Sequence, residues 1–189
     1  MPRDALLWAL AGIPVVIIGG TLLHFCFECG GRRRALAVFC PINESVWEHL
    51  KMAYWPLLAM TGLQLAVAES PPLLAATRAT GFYTMGVLIL GLYFLTAALL
   101  PHVTMRTRLV MDGAIFVLAV VIGQLVSAAV PVMSERPGVV WAGWIALFAP
   151  AAIFASTTFA PPHVELFRDQ ITGSYGLTAD GPRGGGQPG

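Results

Sequence analysis

Five apolar stretches, each about the length a helix needs to cross a lipid bilayer, constrain this 189-residue chain more than any other feature. They cover residues 5–27, 46–68, 79–100, 109–130 and 138–160. Prolines stand in the joints at Pro71, Pro72, Pro101, Pro131, Pro137, Pro161 and Pro162. There the missing N–H and the clash with the preceding turn stop a helix. Pro14, Pro56 and Pro150 fall inside stretches, which membrane helices tolerate because neighbours satisfy the freed carbonyls. The expected fold is therefore all-α, a polytopic membrane bundle of about five transmembrane helices. One domain is expected over 1–177. The glycine- and proline-rich tail, 178–189, is expected to be disordered.

Composition agrees with lipid as the solvent. Hydrophobic residues make up 57% and charged residues 11%, with a mean hydropathy of +0.74. A soluble domain could not cover its surface with so few charges. The net charge of +1 leaves no basic stripe to neutralise phosphates, so nucleic acid is not an expected partner. The lipid bilayer is, and a homo-oligomer is compatible. The first stretch ends in Glu28 and an arginine run without a small-residue cleavage site, so it reads as a retained helix and not a signal peptide.

Basic residues orient the bundle. Arg32, Arg33, Arg34, Lys51, Arg106, Arg108, Arg168 and Arg183 gather at one end, against Arg3, Arg78 and Arg136 at the other. This predicts an inner (plasma) membrane protein with its N-terminus outside and its C-terminus cytoplasmic. Residues 35–42 are apolar but too short to span, and read either as a re-entrant or interfacial segment before the second helix or as a plain buried loop. Gly62, Gly86, Gly91, Gly113 and Gly123 are the expected close-packing positions. Gln64 and Gln124 are expected to bond between helices.

The ionisable residues are distributed unevenly. His24 and Glu28 close the first helix, one turn apart on one face. Asn43, Glu44, Glu48 and His49 open the second. His102 follows the third, Asp112 sits early in the fourth, and His163 and Glu165 follow the fifth. All four histidines thus lie at the predicted cytoplasmic end. Ionisable groups at bundle ends are costly unless paired, solvated or metal-bound, and imidazole with carboxylate suits a divalent metal, zinc foremost. The candidate ligands are His24, Glu28, Glu48, His49, His102 and His163, with Glu44 or Glu48 as general base.

Plainer roles compete. Ser45 and Glu48 form a capping-box pattern, Lys51 reads as a snorkelling interface residue, and Arg108 and Asp112, four apart, can pair. Cys26, Cys29 and Cys40 are an odd count in one short region and no disulfide framework. A thiolate metal site from the three competes with simple apolar packing. No GxSxG, Walker, HExxH or dinucleotide motif occurs.

Pro41-Ile-Asn-Glu-Ser-Val-Trp-Glu-His-Leu-Lys51, preceded by His24-Phe-x-x-Glu28, resembles the signature of a family of small prokaryotic multi-pass membrane proteins of unknown function. So do Pro161-Pro-His-Val-x-Leu-Phe167 and the Thr172-Gly-Ser-Tyr-Gly176 run that follows Asp169. The resemblance implies a multi-pass fold and brings no activity. Three functions remain in view: a divalent-metal-dependent membrane hydrolase acting on a lipid or amphiphile; a small transporter or channel for a metal ion or polar solute; and a non-catalytic membrane scaffold subunit. The stretch 163–175 is expected to fold back under the bundle.

Overall fold

The computed structural model describes residues 3–67, 72–130 and 135–177. Five helices follow one another: α1 (Arg3–Cys29), α2 (Val46–Val67), α3 (Leu74–Leu99), α4 (Met105–Ala129) and α5 (Pro137–Phe159), with a short 3-10 turn at Glu165–Phe167. No strand occurs among the described residues. The stretch 178–189 and Glu69 lie outside them.

The boundaries follow from local chemistry. Helix α4 begins earlier than the apolar pattern indicated because the Thr104 hydroxyl accepts from the Thr107 amide and caps it. Helix α3 starts five residues earlier than expected, and Arg78 becomes a residue of its second turn. Helices α1, α2 and α5 run through Pro14, Pro56 and Pro150.

Helices α1, α3, α4 and α5 are long and apolar enough to cross a membrane. Helix α2 is the exception, for a physical reason: it is the central helix. Twelve of its 22 residues are buried, so its surroundings are protein and it can carry Glu48, His49, Lys51 and Gln64. At a rise of about 1.5 Å per residue it is still roughly as long as the hydrocarbon core is thick. Around it α1 packs on α2 and α4, and α3 on α4 and α5. Tyr54, Phe82 and Phe154 meet at the centre in edge-to-face pairs.

Close helix approaches use a different set of glycines from the one expected. Only Gly123 of that set sits against a neighbouring backbone, where a Cβ would lie 2.7 Å from the Gly81 carbonyl oxygen; Gly62, Gly86, Gly91 and Gly113 face open space. The tight contacts are instead at Gly12, Gly20, Gly81 and Gly143. A Cβ on Gly12 would meet the Gln124 amide at 2.7 Å, and one on Gly20 would meet the Met52 carbonyl oxygen at 2.6 Å.

At the N-terminal ends of α3 and α5 lies a sealed polar knot. Arg78 donates to Gln64 (2.6 Å) and Gln124 (3.1 Å), pinning α2, α3 and α4 together. Both glutamines thus bond between helices, as their mid-helix positions suggested.

The linker from α1 to α2 is a loop of turns with no helix of its own, exposed over residues 31–35 and at Phe39 and buried at Ala37, Cys40, Pro41 and Ile42. Gly31 (φ 70°) and Arg32 (φ 55°) take the left-handed conformation that reverses the chain. The loop folds back on α1, so that Phe27, Ala37, Cys40 and Ile42 form a small core. Cys26 and Cys40 are joined as a disulfide, with Cα atoms 5.8 Å apart, and Cys29 is free and exposed. Bonded to each other, Cys26 and Cys40 cannot join Cys29 as three free thiolates, and both pack in this small core as the apolar-packing reading expected.

Candidate functional site

The end of α1, the loop before α2 and the first turn of α2 converge. Glu44 stands between two imidazoles: its carboxylate oxygens lie 3.4 Å from His49 Nε2 and 3.8 Å from His24 Nε2. The two rings have centroids 5.5 Å apart. One ligand atom from each of the three residues lies within 4.8 Å of the others, and among the described residues no other such group occurs.

Local structure fixes these side chains. Asn43 Oδ1 accepts from the Ser45 amide, and the Ser45 hydroxyl accepts from the Glu48 amide (3.3 Å), which starts α2 at this point. His49 Nδ1 lies 2.8 Å from the Ser45 carbonyl oxygen. A carbonyl only accepts, so Nδ1 carries a proton, and Nε2 faces Glu44 either as an imidazolium N–H that donates to the carboxylate or as a lone pair with a metal cation between. Backbone anchoring of the distal nitrogen is the usual support of a metal-ligating histidine. A lone pair facing a carboxylate at 3.4 Å repels it unless a proton or a metal cation lies between. The hydrogen bond with His49 is the largest influence on Glu44, holding its carboxyl below the usual range against the opposing effect of burial.

The geometry fits a metal. Tetrahedral zinc, with bonds of about 2.0–2.2 Å, sets its ligand atoms roughly 3.3–3.6 Å apart. The 3.8 Å approach to Glu44 Oε1 and the 3.4 Å approach to Oε2 are near this range, and with one ligand atom per residue all three lie within 4.8 Å of one another. Two histidines and one glutamate form a ligand set of catalytic zinc sites that keep a fourth position open.

The other sequence candidates lie elsewhere. Glu28 is largely exposed and pairs with Arg32 at 3.4 Å. His163 stacks on Tyr175 with centroids 4.6 Å apart. His102 is exposed in the turn between α3 and α4. Glu48 is the main correction. Its carboxylate turns away from Glu44 and accepts from Lys51 Nζ (2.6 Å) and the Ile42 amide (3.1 Å). Lys51 does not snorkel: it is completely buried and also donates to Thr158 (2.7 Å) and the Ala37 carbonyl (2.9 Å). Glu48 therefore ties the loop, and through Lys51 also α5, to α2, and in this arrangement its carboxylate is engaged by Lys51 and Ile42.

The cluster heads a cavity of about 680 Å³, within the size range of small-molecule sites. Beyond His24, Glu44 and His49 its polar lining includes Arg108 and Asp112 from α4. These two make no ion pair within 4.0 Å among the described residues. Asp112 Oδ1 and His24 Nδ1 make no hydrogen bond within the protein, so both can bond to whatever fills the cavity. Asp112 is close enough to His49 for their charges to interact. It was placed at this end by sequence but not assigned to the site. An acid one turn into an apolar helix was the available signal.

A family model described as a family of unknown function, DUF6512, matches residues 2–177. The chain belongs to this family. The match runs from α1 through the segment after α5, so His24, Glu44, His49, Arg108 and Asp112 all lie within it. No curated protein and no solved structure matches the chain.

The C-terminal segment closes the same end of the bundle. Phe167 packs on the Trp47 ring at 4.8 Å, and Gln170 and Ile171 add to the cavity wall. The Asp169 carboxylate holds the turn by accepting from the Ile171 amide and the Thr172 hydroxyl, and Gly173 takes φ 71° within it. This is the folding-back expected of 163–175.

Proposed function

We propose that this protein is a divalent-metal-dependent membrane hydrolase with His24, Glu44 and His49 as its ligands and zinc as the first candidate ion. The observation that carries the reading is the convergence of these three groups, from three chain segments, at the head of an amphipathic cavity. A metal there supplies an activated water and polarises the oxygen of the bond to be cleaved. His49 is oriented by Ser45, and Glu44 balances the charge. Asp112, with an unpartnered oxygen in the same cavity, takes the general-base role that sequence gave to Glu44 or Glu48. Transport is disfavoured by the lining of the cavity, which draws on only one end of α2, α3 and α4, while the Arg78 knot packs their other ends. The basic residues favour an inner-membrane location with the site facing the cytoplasm, and the Cys26–Cys40 disulfide at the same end argues for the opposite, oxidising side.

Elemental analysis of the purified protein tests the reading. Stoichiometric metal is expected, lost in His24→Ala, Glu44→Ala and His49→Ala and kept in Glu28→Ala, His102→Ala and His163→Ala. Folded protein that takes up no zinc, manganese or iron after incubation with each would remove the foundation.

A further inference from the structure

We infer that the cavity takes a single-chain anionic amphiphile, its phosphate or carboxylate head held by Arg108 beside the metal ligands and its chain lying between α1 and α4. The inference rests on the proposed reading of the cavity as a substrate chamber, and three observations carry it.

The polarity of the lining is segregated. His24, Glu44, His49, Arg108 and Asp112 occupy the head, whereas Ile17, Ile89 and Phe116 line the deeper part toward the bundle centre. A polar solute would leave that apolar wall unused.

The cavity rim on α1 and α4 is exposed and apolar, with a structural cause. Helices α1 and α4 are held together at Gly12, against Gln124, and at Gly20, against Phe116. Beyond Gly20, α1 presents Thr21, His24 and Phe25 to the cavity instead of to α4. Phe25 on one side and Met105 and Leu109 on the other are exposed apolar residues that also line the cavity. In a chain whose surrounding solvent is lipid, a rim of such residues admits a chain-bearing molecule from the bilayer.

The third observation is the cation. Arg108 lines the head of the cavity, and among the described residues its guanidinium makes two long hydrogen bonds, 3.3 Å to Thr96 and 3.4 Å to the Leu100 carbonyl, with the Asp112 charge nearby. A planar fork with donors to spare matches a phosphate or carboxylate.

The test uses purified protein in neutral detergent, stripped of metal with EDTA so that the head-group interaction is read separately from the metal. The probes are hexadecyl phosphate, hexadecanol and inorganic phosphate. Hexadecyl phosphate is expected to bind about tenfold or more tightly than hexadecanol, and Arg108→Gln to abolish that preference. Inorganic phosphate should compete poorly, and Gly113→Phe, which projects a ring from an open position on the cavity wall, should weaken both chain-bearing probes. Equal binding of phosphate and alcohol, or a preference that survives Arg108→Gln in a monodisperse variant, would overturn the proposal. Tight binding of inorganic phosphate alone would show an anion site without a chain site and would equally refute it. Zinc uptake measured on the same preparation separates this outcome from failure of the metal site.

Discussion

Replacing Lys51 by methionine tests the assignment of Glu48 to the lock instead of the metal site. Lys51 is fully buried and donates to Glu48, Thr158 and the Ala37 carbonyl at 2.6, 2.7 and 2.9 Å. Its removal leaves the Glu48 carboxylate in a low-dielectric interior with the Ile42 amide as its one remaining partner among those donors. Breaking a buried ion pair from one side costs about 3–5 kcal/mol. For a chain of this size that corresponds to a fall in Tm of about 6–20 °C. In Glu48→Gln/Lys51→Met no charge is stranded, and the glutamine oxygen can still accept from Ile42. The residual cost is then about 1–3 kcal/mol, chiefly for the Ala37 carbonyl left unpaired, since the Thr158 hydroxyl still donates to the Phe154 carbonyl. Thermal unfolding in detergent, followed by the loss of monodisperse protein, reads both. Zinc content should be unchanged in the double variant. A single variant as stable as wild type, or a double variant no better than the single, would refute the lock; a folded double variant that loses its metal would return Glu48 to the ligand set.

The glycines give a sharp contrast. Gly20→Ala should cost about 1–3 kcal/mol, since its Cβ would meet the Met52 carbonyl oxygen at 2.6 Å. Gly62→Ala, facing open space in a helix interior, should raise stability by about 0.5–1 kcal/mol in the same unfolding assay. In the metal assay, Asp112→Asn should keep zinc and lose at least about 100-fold in turnover if Asp112 is the general base; loss of zinc would make it a ligand instead. Orientation can be read at Cys29, exposed and free. In a Cys26→Ser/Cys40→Ser background, an impermeant maleimide should label inside-out vesicles and spare right-side-out ones. The reverse pattern would put the site in an oxidising compartment, where a Cys26–Cys40 disulfide persists.

Helix number and approximate helix limits were legible because hydropathy over a 20-residue window depends on composition alone. The packing glycines were not, because a glycine's sequence position does not say which face of its helix meets a neighbour. For α2 the apolar window misses what the structure shows: a helix with twelve of its 22 residues buried, packed on α1 and α3 and bonded to α5, carries polar residues that a lipid-facing one could not. The site was legible to the level of its segments. That 24–28 and 43–49 meet follows from charge clustering; that His24 and Glu44 meet while Glu28 turns to Arg32 depends on how the loop folds back. The disulfide was hidden for the same reason, since the turn at Gly31 and Arg32 brings Cys40 beside Cys26.

Glu44 and Glu48 show why spacing alone could not assign the chemistry. Four residues apart, they have the separation that places two side chains on one face of a helix. But Glu44 precedes the first turn, where the Asn43 and Ser45 bonds set the backbone, and its carboxylate stays at the cavity between two imidazoles. Glu48 lies inside the helix and points into the protein, where Lys51 and the Ile42 amide hold it. The two acids are nonetheless coupled. Through Ile42 and Ala37, the Glu48–Lys51 pair fixes the loop that carries Glu44, so the geometry available to a metal depends on a charge pair that never touches it. A buried ion pair is a poor source of net stability compared with apolar packing. Its position here is better explained by what it aligns: His24 of α1, Glu44 of the loop and His49 of α2 meet only if the loop between α1 and α2 has one conformation.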